Sequence, residues 1–208
     1  MATLSDKVIC DELRVYGASL KAEVCSAIRA YIPLLLHWNR KISLTTVTDP
    51  LKILRFHFGE SIFAASAFID QNGRLADVGS GAGFPGIPLK LLIPALKVIL
   101  IESNAKKAAF LAEVVRELGI EGVEVCRGRF EKLGLEGREF DFITARALGM
   151  HEKLVNWARG AIKVGGSLVL WLGQDDALRV SMGRSWQWRR PLLIPGSRSR
   201  TILIGVAT

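Results

Sequence analysis

The sequence has too few cysteines and histidines for an evident metal site or disulfide framework. Its three cysteines, Cys10, Cys25 and Cys126, are an odd number and lack the CxxC spacing of zinc and redox motifs. The three histidines are scattered at positions 37, 57 and 151. We therefore expect neither a bound metal nor a disulfide framework.

Long hydrophobic runs are also missing. The most apolar stretch, LKLLIPALKVILI at residues 89 to 101, is short and is interrupted by Lys90, Pro94 and Lys97. The N-terminal residues include several acids and no apolar core of signal-peptide length. These features predict a soluble, unexported, cytoplasmic protein without a membrane partner.

The C-terminal end lacks acidic residues. Residues 177 to 208 contain six arginines and no Asp or Glu, whereas residues 75 to 150 contain ten basic and ten acidic residues. The net charge of +8 therefore lies mainly at this end. Such charge favours a polyanionic partner, because Lys and Arg near phosphates release condensed counterions. A solvated basic surface explains the charge equally well.

What the chain does contain is an alternation of strand and helix patterns. Residues 1 to 70 show helical patterns only, including Asp49 and Pro50 as a predicted cap and first turn, and predict a helical N-terminal extension. Residues 71 to 208 predict one α/β domain, with a mostly parallel sheet covered on both faces. Its strand-like runs are RLADVG, KVILIE, GVEVCRG, FDFITAR and SLVLWL. Two further runs near the C-terminus, WQWRRPLLI and RTILIGV, have no helix between them and predict an antiparallel hairpin at the end of the sheet.

A glycine-rich stretch, ADVGSGAGFPGIPL at residues 76 to 89, joins the first predicted strand to a helix. Bare backbone at Gly79, Gly81 and Gly83 lets a ligand come close. Gly81, Gly83 and Gly86 also satisfy GxGxxG, so an oxidoreductase that binds a nicotinamide or flavin dinucleotide is one interpretation. A Walker-type phosphate loop is excluded, since no Lys-Ser or Lys-Thr follows the glycines.

Two acidic residues favour a different ligand. Glu102 ends the next predicted strand, where a carboxylate binds ribose hydroxyls in either class of enzyme. Asp77 lies two residues before Gly79, where a negative charge disfavours a pyrophosphate and suits an amino-acid ammonium and a sulfonium. The pair therefore favours S-adenosylmethionine. The alternative is that Asp77 only caps the turn.

If S-adenosylmethionine is the ligand, the expected reaction is methyl transfer. The motifs that the sequence lacks then indicate which atom accepts the methyl group. TARALG at residues 144 to 149 stands where amine methyltransferases commonly have an Asn-Pro-Pro-Tyr type motif. Cys126, a conceivable nucleophile for a pyrimidine carbon, is expected to be a buried structural thiol at the end of a strand. No general base is evident, which suits the 7-position nitrogen of guanine because that atom carries a free lone pair.

Six stretches in the same order resemble the glucose-inhibited division protein B family. They are WNRKISLTTVTDP at 38 to 50, HFGES at 57 to 61, ADVGSGAGFPGIPLK at 76 to 90, IESNAKKAAFL at 101 to 111, RGRFEKL at 127 to 133 and TARAL at 144 to 148. The resemblance covers nearly the whole chain. It implies a class I, Rossmann-like methyltransferase that transfers a methyl group from S-adenosylmethionine to a guanine of 16S ribosomal RNA in the small subunit.

The resemblance also implies two sets of site residues. Those expected at the cofactor are Asp77, Gly79, Gly81, Gly83, Phe84, Glu102, Ser103, Phe130, Glu131 and Arg146, with Glu102 on the ribose and Phe130 and Glu131 beside the adenine. Those expected to act in catalysis or to face RNA are Arg146, Asn39 and His57, although His57 is equally well explained as a structural histidine. No metal is implied.

Three departures from the family pattern leave an alternative open. Ser43 stands where the family usually has Asn, Glu60 where it has Asp, and Leu172 where it has Lys. The segment GQDDALRVSMGRS is shorter than in most members, which predicts a reduced helix. The basic C-terminal end, together with Leu172 in place of the lysine, adds a third hypothesis beside the methyltransferase and the oxidoreductase, namely a relative that binds RNA without catalysis.

Overall fold

The computed structural model describes residues 4–17, 19–67, 72–135, 137 and 140–208. Helices precede the first strand: α1 (Asp6–Arg14), α2 (Ala22–Asn39), α3 (Pro50–Ile53), a π-helical segment (Leu54–Gly59), α4 (Glu60–Phe63) and a 3-10 turn (Ala64–Ala67). The predicted cap is confirmed, since the Asp49 side chain accepts a hydrogen bond from the Lys52 amide and Pro50 begins α3. The boundary expected at residues 70 and 71 lies outside the described residues.

A mixed sheet of eight strands forms the centre of the molecule. The strands are β1 (Arg74–Val78), β2 (Lys97–Glu102), β3 (Val123–Arg127), β4 (Phe140–Arg146), β5 (Ile162–Gly173), β6 (Gln187–Trp188), β7 (Leu192–Leu193) and β8 (Arg200–Val206). Their order is β3-β2-β1-β4-β5-β8-β6, with β7 also paired to β8. The first five strands are parallel, and β8 is antiparallel to β5, β6 and β7. The predicted parallel sheet and its antiparallel end are confirmed.

Four helices follow strands and cover the sheet. They are α5 (Gly86–Leu92), α6 (Ala105–Glu117), α7 (His151–Ala161) and α8 (Gln174–Ser181), and a 3-10 turn spans Phe130–Lys132. The helix α8 occupies the segment that the sequence suggested was shortened. Within the described residues, no helix is both long enough and apolar enough to cross a membrane.

The N-terminal helices share a hydrophobic core with one face of the sheet. This core joins Ile28 and Tyr31 of α2 to Leu100 of β2 and Phe110 of α6. The opposite face packs against α7 and α8. The N-terminal helices therefore stand beside the sheet in a common core, and they can position residues around its carboxyl edge.

Two expectations about cysteine are wrong. A disulfide joins Cys10 of α1 to Cys25 of α2, although the sequence suggested none. The two residues are separated by 15 positions and lie on different helices, so only the packing of α1 on α2 brings them together. Cys126 in β3 is half-buried and its thiol contacts the Glu124 carboxylate at 3.1 Å, so it is not a fully buried thiol.

Candidate functional site

The glycine-rich turn leaves the carboxyl end of β1 and begins α5. Gly79, Gly81 and Gly83 have positive φ angles of 72°, 57° and 82°, which L-residues with side chains rarely adopt. The amides of Gly79 and Ser80 both donate hydrogen bonds to the carbonyl of Ile101 in β2. The turn is thereby fixed against the neighbouring strand.

Asp77 lies beneath this turn and is completely buried. Its carboxylate accepts hydrogen bonds from the Gly86 amide at 3.1 Å and from the Thr144 hydroxyl of β4 at 2.8 Å. Burial raises the pKa of Asp77 to about 6, against the opposing effect of these hydrogen bonds. The side chain orients the turn from below, as the capping interpretation requires. A direct contact between Asp77 and a ligand stays a prediction.

Glu102 reaches from the end of β2 to the opposite side of the turn. One carboxylate oxygen accepts a hydrogen bond from the Gly81 amide at 2.9 Å, and the other accepts one from the Asn104 amide at 2.7 Å. The side chain is 7% exposed. Glu102 therefore sits at the carboxyl edge between the turn and α6, where the sequence placed a ribose-binding carboxylate.

A cavity of about 220 Å³ opens beside the glycine-rich turn, at the carboxyl ends of β1, β2 and β3 and against the segment that follows β4. Its lining residues are Gly79, Ile101, Ser103, Gly128, Arg129, Phe130, Glu131, Leu148 and Met150. Four of these, Gly79, Ser103, Phe130 and Glu131, belong to the set predicted at the cofactor. One Glu131 carboxylate oxygen binds Lys153 at 2.6 Å, which lowers the pKa of Glu131. The other is buried without a hydrogen-bond partner, so it can accept a hydrogen bond from an amino group such as that of adenine.

Phe84 lies elsewhere, in an aromatic cluster beneath the N-terminal helices. Its ring is 7% exposed, stacks on Tyr31 and His57 with centroid distances of 5.7 Å and 4.9 Å, and meets the edge of Phe58. The peptide bond between Phe84 and Pro85 is cis. Phe84 therefore connects the turn to the N-terminal helices and does not line the 220 Å³ cavity.

Arg146 ends β4 and points towards the π-helical segment. Its guanidinium donates a hydrogen bond to the Phe56 carbonyl at 2.7 Å and lies 3.4 Å from a ring nitrogen of His57. It also forms an ion pair with Glu60 at 3.1 Å. With its side chain 17% exposed, Arg146 is held in one orientation at the carboxyl edge, on the β5 side of the cavity.

Glu60 is the centre of a cluster that the sequence did not reveal. Its carboxylate is 2% exposed and lies between two arginines, Arg146 and Arg200, the second at 2.9 Å. The Arg200 contact is close enough for an ion pair but is not aligned as a hydrogen bond. Burial raises the pKa of Glu60, although both arginines oppose this shift. Arg200 also lies over the Phe56 ring, 5.0 Å from its centroid.

The sequence assigned Arg200 only to a basic C-terminal end. Because β8 runs antiparallel to β5, the first residue of β8 lies at the same edge of the sheet as the last residues of β4 and β5. Arg200 is paired in register with Gly173 there. Leu172, which stands in place of the family lysine, is 6% exposed and belongs to the core.

Asn39 holds a loop that reaches His57. Its side-chain oxygen accepts hydrogen bonds from the amides of Leu44 and Thr45, and its side-chain nitrogen donates to the Thr45 carbonyl. The Thr45 hydroxyl in turn contacts His57 at 2.8 Å. Asn39, Thr45, His57 and Arg146 thus form one continuous series of polar contacts, in which Asn39 positions the loop.

The lowered pKa of His57 predicts that the stability of the fold depends measurably on pH. Burial, Arg146 and Arg200 lower its pKa to about 4, whereas an unfolded histidine titrates near ~6.5. Between these values the unfolded chain binds the additional proton, so His57 makes folding less favourable as the pH falls from about 6.5 to about 4. We expect His57→Gln to remove this loss in urea unfolding experiments, and exposed His37→Gln to retain it.

The comparison with wild type isolates the His57 effect. The raised pKa of Asp77 acts in the opposite direction, adding stability that is lost as the pH rises through about 6, but it acts equally in all three proteins. Parallel pH profiles for His57→Gln and wild type would contradict the assignment of a neutral, buried His57.

Known sequences match the chain over most of its length. A family model described as GidB, rRNA small subunit methyltransferase G, matches residues 24–184. A protein named ribosomal RNA small subunit methyltransferase G from Roseiflexus sp. (strain RS-1) is 33% identical over 95% of this chain and 89% of its own length. One with the same name from Xylella fastidiosa (strain 9a5c) is 43% identical over 74% and 71% of the two chains.

Solved structures support the fold. A SAM dependent methyltransferase from Aquifex aeolicus superimposes with a TM-score of 0.63 at 18% identity, covering 77% of this chain and 94% of its own. A predicted O-methyltransferase from Agrobacterium tumefaciens gives a TM-score of 0.62 at 20% identity, covering 71% and 80%. At these identities the similarity establishes the class I methyltransferase architecture.

Proposed function

The chain belongs to the GidB family of rRNA small subunit methyltransferases, and from this premise we propose that it methylates the 7-position nitrogen of a guanine in 16S ribosomal RNA. Its cofactor is S-adenosylmethionine. The proposed substrate is the RNA of the small ribosomal subunit, either free or assembled into the subunit. We place this reaction in the cytoplasm. The oxidoreductase alternative is not supported, because the family model, the relatives and the two solved structures described above are all named as methyltransferases.

The observation that supports the proposal most is the extent of the family match. Residues 24–184 include the glycine-rich turn, Glu102 and Arg146, and also the helices that carry Asn39 and His57. These elements meet around one edge of the sheet. The cavity lies at the ends of β1, β2 and β3 and against the segment that follows β4. The Glu60 cluster lies at the ends of β4 and β5 and the start of β8.

The two parts of this edge have different proposed roles, the cavity side in binding the cofactor and the Glu60 cluster in receiving RNA. Residues on the cavity side, Gly79, Ser103, Phe130 and Glu131, would hold the cofactor, with Glu102 at its ribose. When bound, S-adenosylmethionine would supply a methyl group activated on its sulfonium sulfur, with the thioether as leaving group, and a guanine nitrogen that carries a lone pair would need no general base. The chain therefore contributes chiefly by placing the two reactants in line, a form of catalysis worth up to roughly 7 to 11 kcal/mol.

The cluster on the other side is suited to receive RNA. Arg146 and Arg200 carry two positive charges against the single carboxylate of Glu60, which leaves a net positive charge at this part of the carboxyl edge. Neutral His57 and the Asn39 loop hold this cluster from the N-terminal side. We assign residues 1 to 70 as an extension that forms the acceptor side, and 71 to 208 as the methyltransferase domain.

The decisive experiment follows a labelled methyl group into RNA. Purified protein, tritiated S-adenosylmethionine and small ribosomal subunits from a strain that lacks the modification should yield labelled 16S RNA. Borohydride reduction and aniline cleavage, which cut RNA at 7-methylguanosine, should then locate the label at a guanine. Label at another atom or base would overturn the acceptor assignment. Binding of RNA without label would favour the non-catalytic alternative.

A further inference from the structure

A tyrosine of α2 reaches the glycine-rich turn from the N-terminal side. Tyr31 is completely buried, and its hydroxyl donates a hydrogen bond to the carbonyl of Ala82 at 2.5 Å. Ala82 lies between Gly81 and Gly83, at the centre of the turn. The contact joins residues 51 positions apart, so it depends on the packing of α2 against the sheet.

The ring of Tyr31 also fixes the aromatic residue of the turn. Tyr31 stacks on Phe84 with a centroid distance of 5.7 Å, and the edge of its ring meets Phe58 at 5.4 Å. A Cβ atom at Gly83 would lie 2.5 Å from the Tyr31 hydroxyl, which leaves no space for a side chain there. The hydroxyl and the glycine are therefore complementary in shape.

The hydroxyl acts as a proton donor throughout the neutral pH range. Burial first, and then the nearby Asp77 carboxylate, raise the pKa of Tyr31 well above its usual value. A buried carbonyl without a donor is costly, so the Ala82 carbonyl is held towards Tyr31. The Asp77 carboxylate accepts a hydrogen bond from the Gly86 amide, and the Glu102 carboxylate accepts one from the Gly81 amide. The Tyr31 hydroxyl adds a third hydrogen bond that holds the turn.

We propose that Tyr31 is a positioning residue through which the N-terminal helices hold the glycine-rich turn in the conformation that binds S-adenosylmethionine. The fold alone supplies Asp77 and Glu102 from β1 and β2, whereas Tyr31 comes from outside the sheet. The inference goes beyond the proposed function, since it concerns cofactor affinity and is independent of which RNA atom receives the methyl group.

The proposal is tested by a substitution that removes only the hydroxyl oxygen of Tyr31. Tyr31→Phe keeps the stacked ring and is expected to fold, but it leaves the Ala82 carbonyl without its donor. We expect its dissociation constant for S-adenosylmethionine, measured by calorimetry, to rise about tenfold, the size of effect associated with a lost buried hydrogen bond. Tyr16→Phe is the matched control, because Tyr16 is the other tyrosine of the chain and packs against Gly59 in the same N-terminal region.

A second readout separates positioning from a general loss of stability. Amide hydrogen exchange at Gly81 and Gly83 should be faster in Tyr31→Phe than in wild type without cofactor, and should become equal at saturating cofactor. A cofactor affinity within twofold of wild type, an equal loss in Tyr16→Phe, or unchanged exchange in the turn would overturn the proposal. Failure of wild type to label RNA would refute the proposed function and leave these comparisons intact.

Discussion

Asp77→Ala is expected to weaken S-adenosylmethionine binding by about 100-fold, corresponding to about 2.7 kcal/mol. The substitution leaves the Gly86 amide and the Thr144 hydroxyl, both buried, without their acceptor. Each such group costs about 1 to 3 kcal/mol unless the turn rearranges to satisfy it. Rearrangement relieves this cost but displaces the backbone of the glycine-rich turn, which is the proposed binding surface for the cofactor. Calorimetric titration with the cofactor gives the measurement.

Asp77→Asn is expected to retain cofactor affinity within about tenfold of wild type. The asparagine oxygen can accept from the Gly86 amide, and its amide group can donate to the Thr144 hydroxyl after that hydroxyl rotates. The neutral side chain also avoids the cost of a buried charge, which the raised pKa of Asp77 reveals. We therefore expect its stability in urea at pH 7 to equal or exceed that of wild type.

The two variants together distinguish the roles considered for Asp77. A carboxylate that binds the ammonium of the cofactor needs its charge, so a loss of 100-fold in a stable Asp77→Asn protein would establish that direct role. Retained affinity in Asp77→Asn with a large loss in Asp77→Ala would establish the orienting role that the buried hydrogen bonds support.

Arg146→Lys is expected to lower the kcat/KM of RNA methylation by about 100-fold, the effect associated with a displacement of about 1 Å at a reacting centre. The guanidinium of Arg146 contacts Glu60, the Phe56 carbonyl and His57 at once. A lysine keeps the charge but cannot reproduce this geometry, because its single ammonium lacks the planar set of donors. Initial rates with labelled cofactor and small subunits provide the measurement.

A matched control separates this effect from a general change of surface charge or chain stability. Arg159→Lys makes the same substitution at an exposed position of α7 and should retain activity within twofold of wild type. Cofactor affinity should also change little in Arg146→Lys, since Arg146 does not line the 220 Å³ cavity. Full activity in Arg146→Lys, or an equal loss in Arg159→Lys, would contradict a role for the guanidinium in placing the acceptor.

Local sequence patterns were sufficient for the sheet and for the glycine-rich turn. The strands of the parallel part are short runs rich in Val, Ile and Leu, separated by helical or loop stretches, and the structure confirms this arrangement. The glycines of the turn need positive φ angles, and this requirement is visible in the sequence because glycine is the residue that meets it readily. Glu102 could be placed because a strand end fixes its position at the carboxyl edge.

The contacts between distant segments could not be read in this way. The pairing of Cys10 with Cys25 depends on how two helices pack. The Glu60 cluster depends on β8 returning antiparallel beside β5, which brings Arg200 to the edge that Arg146 occupies. Phe84 stacks among aromatic rings that α2 and the π-helical segment supply, and these contacts could not be foreseen from its place in the glycine-rich turn.

The sequence by itself determined the class of fold, the glycine-rich turn and the family, because these depend on residue types at fixed local spacings. Only the tertiary structure decided which side chains meet across the carboxyl edge. It placed Asp77 under the turn, Tyr31 against its central carbonyl and Glu60 between two arginines. The physical reason is that a hydrogen bond or ion pair between distant residues is set by the packing of whole elements, which local periodicity does not encode.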